Sequence, residues 1–354
     1  MLILIILLLV ICFIKARPQV KNEKNTFLDR DVTLAISGLF AGFVFCSHFF
    51  SYLDLNQING FDNIGVVFTS VMGQLMVAPF LFYSGYGVIE SFKKKGALYA
   101  KSYPKRRILK LYIVFLNALL LFILIALIFN KPYSAEQYIL SIFTFASIGN
   151  SNWYVCVILI LYFVSYLSFV LFGTFNQKGV LVFHIVAGFA TVFILQKIAS
   201  GPFWWNTIIA YVVGVAFSCY KERIISFITA KKYRSYMMLG ISAFLFFVFF
   251  YLLPTLLGEN NFFYAGAVTF FVLMIVFLTS VVQIKNVILL TLGKNSFWIY
   301  ILQRVPMILF REATPIYANR YLYLAMCLLG TAAIIAYLNF MKKATKGFFV
   351  KLKF

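Results

Sequence analysis

Long apolar stretches, separated by short polar breaks, recur along this chain and constrain its fold more than any other feature. The hydrocarbon core of a bilayer is about 30 Å thick, so a helix that crosses it needs roughly 20 mostly apolar residues. Hydrophobic residues make up 63% of the 354 residues and charged residues 12%, which is more apolar surface than a soluble core of this size could bury. The pattern predicts an all-α, polytopic integral membrane helix bundle.

The hydropathy predicts about 10 to 11 transmembrane helices. Segment 138–149 is apolar but short, so we expect a re-entrant or interfacial helix there. Residues 1–31 are expected to form an N-terminal membrane anchor and a basic cytoplasmic linker, residues 32–340 the membrane domain, and residues 341–354 a basic cytoplasmic tail. The predicted spans are 2–14, 32–53, 64–91, 108–130, 151–173, 180–196, 206–220, 236–254, 262–283, 296–314 and 321–340.

The distribution of positive charge predicts the orientation in the membrane. The net charge is +21, yet 26 of the 31 Lys and Arg residues lie in alternate loops and in the tail. Cytoplasmic loops are enriched in Lys and Arg, so this basic side and the C-terminus are expected to be cytoplasmic. The N-terminus is expected outside, because basic residues follow the first span and do not precede it. The charge therefore indicates topology and contact with membrane lipids, and it predicts no nucleic-acid partner. The cations on the opposite side are Lys131, Lys197, Arg311 and Arg320.

Polar residues inside the spans are few, and they are the first candidates for function. A charged side chain at mid-bilayer costs at least about 2.5 kcal/mol, so such residues usually face a cavity or a partner. His48, His184 and Arg304 meet this description. Two histidines in the whole chain and acids that cluster in loops argue against a metal site. The five cysteines lie in apolar segments without a Cys-x-x-Cys pair, which predicts small core residues and not disulfides.

Four short motifs follow one another along the chain. They are PFLFYSGYGV at 79–88, YPKRRILKLY at 103–112, NWYVC at 152–156 with Tyr162 after it, and GKNSFWIYILQ at 293–303. In this order, and separated by the expected number of spans, they resemble the motifs of acyltransferase family 3, a family of bacterial polytopic membrane O-acyltransferases. The resemblance covers roughly residues 32–340 and identifies them as a membrane acyltransferase domain.

Two positions depart from the family's pattern. The family has Arg or Lys, followed by Gly, eleven positions before a His on the first core helix; here Ser37 and Gly38 occupy these positions before His48. The nearest cation is Arg30. The family's late His is replaced by Gln303, which can hydrogen-bond a substrate but cannot exchange a proton near neutral pH. The role of the base therefore falls on His48.

The resemblance implies transfer of an acyl group, usually acetyl, from cytoplasmic acetyl-CoA or another acyl-CoA to a hydroxyl of a surface polysaccharide or lipid-linked glycan in the bacterial cytoplasmic membrane. No bound cofactor is expected, because the acyl-CoA is a substrate. His48 is the expected catalytic base, since its reference pKa of about 6.5 allows it to accept a proton near pH 7. Arg30, Arg106, Arg107 and Lys110 are the expected donor-binding cations. The residues expected to line the cavity are Ser84, Trp153, Tyr154, Asn295, Tyr300, Gln303 and Arg304.

Each assignment has a simpler structural alternative. His48 can be a helix-packing histidine, and Ser84 with Gly85 can mark a close approach of two helices. The basic cluster at 101–110 also follows from topology or from contact with anionic lipids. Arg304 can extend toward the interface or pair with Glu312, and Asn295 with Ser296 can cap the following helix.

Two other function classes stay open. A transporter or flippase of lipid-linked sugars also needs many helices and polar residues within the membrane, although the sequence shows no inverted repeat and no paired broken helices. A non-catalytic subunit of an envelope-polysaccharide complex would tolerate the changes at Ser37 and Gln303. The acceptor glycan, the acyl chain and homo-oligomer formation are not determined by the sequence.

Overall fold

The computed structural model describes residues 2–14, 16–18, 26–54, 58, 60–172 and 176–351, and these are almost entirely helical. The predicted all-α membrane bundle is confirmed. The described strands are two residues long each, β1 (Arg17–Pro18) and β2 (Val282–Gln283), and they pair antiparallel. The helices are α1 Leu2–Phe13, α2 Arg30–Ser51, α3 Gly60–Met72, α4 Ala78–Tyr103, α5 Lys110–Ile128, α6 Ala135–Ile142, α7 Trp153–Phe172, α8 Gln177–Ile198, α9 Ile208–Cys219, α10 Lys221–Ala230, α11 Tyr233–Phe247, α12 Leu253–Leu257, α13 Asn261–Val281, α14 Val287–Lys294, α15 Ser296–Leu302, α16 Arg304–Glu312, α17 Thr314–Tyr317 and α18 Arg320–Lys351.

Eight helical stretches among the described residues are long and apolar enough to cross a membrane. One of them, Gly60–Ile128, contains two of the predicted spans, and α1 is apolar but shorter than a full span. The predicted short helix at 138–149 is α6, which ends at Ile142. The eight stretches are Arg30–Ser51, Gly60–Ile128, Trp153–Phe172, Gln177–Ile198, Pro202–Cys219, Tyr233–Leu257, Asn261–Val281 and Arg320–Met341.

The N-terminal end of α1 lies beside the start of α3. The backbone N–H of Leu2 donates to Asp62, and the same carboxylate pairs with Arg320 at 3.1 Å. Arg320 is one of the four cations assigned above to the side opposite the basic loops. The N-terminus therefore lies at the same end of the bundle as Arg320. Lys15, Lys21 and Lys24 of the predicted basic linker lie outside the described residues.

The basic stretch 92–110, expected to be a loop, consists of helical segments on either side of a break at Gly96. The chain bends at Gly96, whose φ of 55° is readily adopted only by glycine. Phe92 stacks on Phe169 at 4.1 Å between ring centroids, and Tyr103 contacts the same ring at 5.4 Å. A straight helix would separate Phe92 from Tyr103 by about 17 Å, so the chain folds back on itself at Gly96. Pro104 then begins a π-helical segment, Pro104–Leu109, that leads into α5.

The predicted span at 296–314 is not one continuous helix: α14, α15 and α16 are short consecutive helices, interrupted at Asn295 and Gln303. Pro306 explains the second interruption: in a continuous helix its ring would collide with the carbonyl of Leu302, four residues earlier, whereas it is tolerated in the first turn of α16. The interruption places a polar side chain, Gln303, inside the bundle, where its exposure is 0%.

Glycines let two pairs of helices approach until their backbones touch. A methyl group at Gly38 of α2 would overlap the carbonyl oxygen of Leu289 in α14, and one at Gly293 would overlap the carbonyl of Leu34. A methyl group at Gly85 of α4 would likewise overlap the carbonyl oxygen of Tyr211 in α9. Small residues allow such packing in membranes, where dispersion contacts replace the hydrophobic drive. The structural alternative for Gly85, close helix approach, is confirmed.

Candidate active site

His48 and Gln303, distant in sequence, meet at the centre of the site. His48 lies in the last turn of α2 and is partly exposed, while Gln303 lies buried between α15 and α16. The Gln303 amide nitrogen is 2.7 Å from Nδ1 of His48. The amide oxygen is buried and has no hydrogen-bond partner among the described residues. Gln303 was expected to contact a substrate, but its amide contacts the imidazole itself.

Aromatic rings surround this pair on one side. The ring of Tyr300 is 6.3 Å from that of His48, and Tyr154 packs edge-on against Tyr300 at 5.1 Å. Trp153 in turn contacts Tyr154 at 6.1 Å. The hydroxyl of Tyr300 is buried and has no partner among the described residues. Three of the residues expected to line the cavity are thus adjacent to His48 or to one another, and Tyr300 has a free donor.

Arg304 follows Gln303 and turns toward the end of α2. Its Nε donates to the hydroxyl of Tyr52 at 3.1 Å, its Nη1 lies 3.4 Å from the carbonyl of Asn150, and its guanidinium stands 5.5 Å from the centre of the Tyr52 ring. The pairing with Glu312 considered for Arg304 is not formed, because Glu312 binds Lys131 at 2.6 Å.

A second group of predicted residues lines a cavity of about 670 Å³, which we call the basic cavity. Arg106 and Arg107 belong to the π-helical segment, and Lys110 begins α5. π-helical turns are rare in proteins as a whole. Those that do occur are often at functional sites, because the extra residue redirects side chains. The basic cavity is lined by Arg106, Arg107, Lys110, Leu111, Val114, Tyr162, Phe297, Trp298 and Leu338.

The basic cavity extends from exposed cations, Arg106 and Lys110, to the middle of α7. Tyr162, which lines it, is in the middle of α7, whereas Tyr154, beside Tyr300, is in its first turn. Eight residues of α-helix correspond to about 12 Å along the axis. The same helix therefore connects the basic cavity with the surroundings of His48 over a short distance.

Two predicted residues lie apart from these groups. Arg30 starts α2 and lines a different cavity, of about 800 Å³, together with Lys93, Lys94 and Lys95. Asn295 does not cap α15 with its side chain; its amide donates to the Thr291 carbonyl at 2.9 Å and accepts from Asn339 at 3.0 Å. Ser84, in α4, belongs to the aromatic group, because its side chain hydrogen-bonds with that of Tyr154.

His184, the other histidine, is buried within the bundle. Its Nε2 lies 3.0 Å from the hydroxyl of Ser165, and its Nδ1 2.8 Å from the carbonyl of Val180. Ser165 also contacts the hydroxyl of Tyr211 at 2.7 Å. Both ring nitrogens are therefore occupied, which indicates a structural role for this residue.

Sequence reasoning did not single out Tyr52, Trp298 or the cations Lys131 and Arg311 as site residues. Tyr52 could have been found, because it follows His48 by four residues and lies next to it on the helix. Trp298 belongs to the motif at 293–303, but the sequence does not distinguish it from the other apolar residues of the span. Lys131 lies in a polar break, and Arg311 lies near the end of the predicted span 296–314; charge is ordinary at both kinds of position.

Comparison with known proteins identifies one family. No curated protein and no solved structure matches the chain. A family model described as an acyltransferase domain matches residues 36–339, nearly the whole chain. This range contains His48, both short-helix interruptions and every residue of the basic cavity. The chain therefore belongs to acyltransferase family 3.

Proposed function

We propose that this membrane acyltransferase is an O-acetyltransferase of the bacterial cytoplasmic membrane, which moves an acetyl group from cytoplasmic acetyl-CoA to a hydroxyl of a surface polysaccharide or lipid-linked glycan. The observation that carries the proposal is the contact between His48 and Gln303, at 2.7 Å. One polar cavity has their neighbours Tyr52 and Arg304 in its wall, and the basic cavity is reached along α7. A base held between a donor cavity and an acceptor cavity is what acyl transfer across a membrane requires.

The basic cavity supports the donor assignment. Coenzyme A carries several phosphates, and guanidinium groups bind phosphate through paired, charge-assisted hydrogen bonds. Arg106, Arg107 and Lys110 supply the charge, while Tyr162 and Trp298 supply apolar surface for the rest of the donor. The role of Arg30 stays a prediction, since it lines another cavity.

The amide of Gln303 can select the tautomer of His48. An amide can turn over in place, exchanging its oxygen and its nitrogen. With the oxygen toward Nδ1, that ring nitrogen carries the proton and donates to Gln303, and the unpaired amide oxygen gains a partner. The lone pair of Nε2 is then free to accept a proton. In this state Gln303 is a positioning residue, and it needs no proton exchange of its own.

The transfer step follows from this arrangement. Nε2 of His48 takes the proton of the acceptor hydroxyl as its oxygen attacks the thioester carbonyl, which gives a tetrahedral oxyanion. The hydroxyl of Tyr300 is the donor that we assign to this oxyanion. The carbon–sulfur bond then breaks, and the coenzyme A thiolate takes the proton from the imidazolium. The products are an acyl ester and free coenzyme A.

The test compares the two histidines. We expect His48→Asn to lower the acetylation of the cell's glycan by at least about a hundredfold, the usual contribution of a base, with the amount of glycan and of membrane-inserted protein unchanged. His184→Asn is the matched control, because His184 is bound on both ring nitrogens within the bundle. Unchanged acetylation in His48→Asn would overturn the proposal.

The same experiment separates the transporter alternative. The interrupted line α14–α16 is a feature that transporters also have, although they usually have it in paired form. Loss of glycan export in His48→Asn, with acetylation of the remaining glycan intact, would support a flippase. Membership in an acyltransferase family favours the transferase.

A further inference from the structure

A second polar cavity lies next to His48, on the side away from the basic cavity. It has a volume of about 350 Å³, and we call it the outer cavity. Tyr52 in its wall lies four residues after His48, and Arg304 follows Gln303 directly. The outer cavity is lined by Ser51, Tyr52, Ile125, Ala126, Lys131, Tyr133, Ile148, Gly149, Arg304, Ile308, Arg311 and Glu312.

The charges of the outer cavity do not cancel. Lys131 and Glu312 neutralise each other at 2.6 Å. Arg311 faces Asp54 at 3.7 Å, and both side chains are about half exposed, 44% and 57%, so solvent weakens this pair. Arg304 has no ion pair with a carboxylate among the described residues, although it is partly buried. A partly buried guanidinium without an anion is expensive in a membrane bundle, and a bound anion would offset that cost.

The arrangement of the two arginines suits a ligand between them. The guanidinium of Arg304 stands 5.5 Å from the centre of the Tyr52 ring, and that of Arg311 stands 5.9 Å from the same ring. Arg304 uses Nε and Nη1 for Tyr52 and Asn150, so of its five N–H donors the two on Nη2 are not used in these bonds. Guanidinium groups bind planar and tetrahedral anions through paired hydrogen bonds, and two of them stand beside this one ring.

We propose that the outer cavity binds an acceptor sugar that carries a negative charge, phosphate or carboxylate, close to the hydroxyl that is acylated. This inference rests on the proposed function for the identity of the reaction, but the anion site itself is independent of turnover. The anion lies between Arg304 and Arg311, the sugar lies against Tyr52, and its hydroxyl points toward His48. The acceptor is therefore an anionic glycan, and a neutral one fits the cavity poorly.

The experiment measures binding and not activity. Full-length protein in lipid nanodiscs is titrated with glucose 6-phosphate, glucuronate and glucose, and binding is followed by saturation-transfer NMR. We expect at least one anionic sugar to bind at least about tenfold more tightly than glucose, with an affinity that falls as salt rises. Binding of only the phosphate or only the carboxylate sugar identifies the group and supports the inference.

Variants locate the anion. Arg304→Gln and Arg311→Gln should each reduce the affinity for the anionic sugar by about tenfold or more and leave glucose unaffected. Lys197→Gln removes the same charge from the same side of the protein, where Lys197 stands over Phe193 outside this cavity, and should change nothing. If Arg304→Gln does not fold, the affinity of Arg311→Gln for the anionic sugar decides whether the anion binds at this site.

Three results would overturn the inference: glucose binding as tightly as the anionic sugars, none of the three sugars binding, or anion affinity unchanged in the arginine variants. The proposed function can fail separately. If His48→Asn keeps its acetylation while the anion binds as expected, the anion site in the outer cavity is supported and the transferase assignment is contradicted. If His48→Asn loses acetylation and no anion binds, the transferase assignment is supported and the anionic class of acceptor is contradicted.

Discussion

At the scale of single residues, the position of Gln303 in the structure changes how its replacement of the family's late His is interpreted. A glutamine in place of a histidine removes one proton-exchanging group, which from the sequence suggests lost chemistry. The structure brings the amide to 2.7 Å from His48 Nδ1, where an amide oxygen can hold the ring in the tautomer that a base needs. The contact spans 255 residues of sequence, so no local pattern could have predicted it.

We expect Gln303→Leu, which keeps the size but removes the hydrogen bond, to lower kcat by about tenfold to a hundredfold. Since the donor binds elsewhere, KM for acetyl-CoA should not change. Gln303→His should retain more activity, because a ring nitrogen can accept the Nδ1 proton. The measurement is steady-state kinetics on purified protein, with thermal stability recorded for each variant.

Asn339→Leu serves as the comparison for this prediction. It breaks a partly buried amide contact, that between Asn339 and Asn295 at 3.0 Å, and should affect stability without the selective fall in kcat. Equal effects of Gln303→Leu on kcat, KM and stability would indicate a merely structural glutamine.

At the scale of helices, close backbone contacts hold the site together. Gly85 lets α4 touch α9 at Tyr211, and Gly214 lets α9 touch α4 at Phe82. We expect Gly85→Ala to force these helices apart and to lower stability by about 1–3 kcal/mol, seen as a fall in Tm of several degrees.

Gly87 offers a matched control two residues away on the same helix. A methyl group there meets no described atom within 4 Å, and alanine is the better helix former by up to about 1 kcal/mol. Gly87→Ala should therefore leave Tm unchanged or raise it. Similar losses from both variants would contradict the assignment of close packing at Gly85, because helix propensity favours alanine at both positions.

Hydropathy predicted the class of fold and the positions of most helices, because runs of apolar side chains depend only on the lipid environment. It could not predict where helices bend. The reversal at Gly96 and the interruption at Gln303 depend on one positive φ angle and on Pro306, and glycine and proline also occur in straight membrane helices. These two bends bring Arg106 and Arg107 to the wall of the basic cavity and bring Gln303 to His48. The motifs thus indicated the site residues, whereas their grouping required the three-dimensional fold.

At the scale of the whole molecule, the proposed function requires a direction for the reaction. If the proposal holds, the basic cavity opens toward the compartment that holds acyl-CoA, and the outer cavity toward the one that holds the glycan. The positive-inside rule assigns the basic loops to the cytoplasm, and this orientation is the prediction on which the proposed path of the acyl group depends.

Single cysteines can test this orientation directly. All five native cysteines are buried and free, so a membrane-impermeant maleimide should give little background in intact cells. We expect Lys197→Cys, on an exposed end of α8, to react from outside, and Lys232→Cys, in the exposed turn between α10 and α11, to react only after the cells are opened. Both positions lie outside the cavities described above, so each variant should keep its acetylation activity, which shows that the labelled protein is correctly inserted. The reverse labelling pattern would place the basic cavity outside, away from any supply of acyl-CoA, and would contradict the assignment of Arg106, Arg107 and Lys110 to the donor.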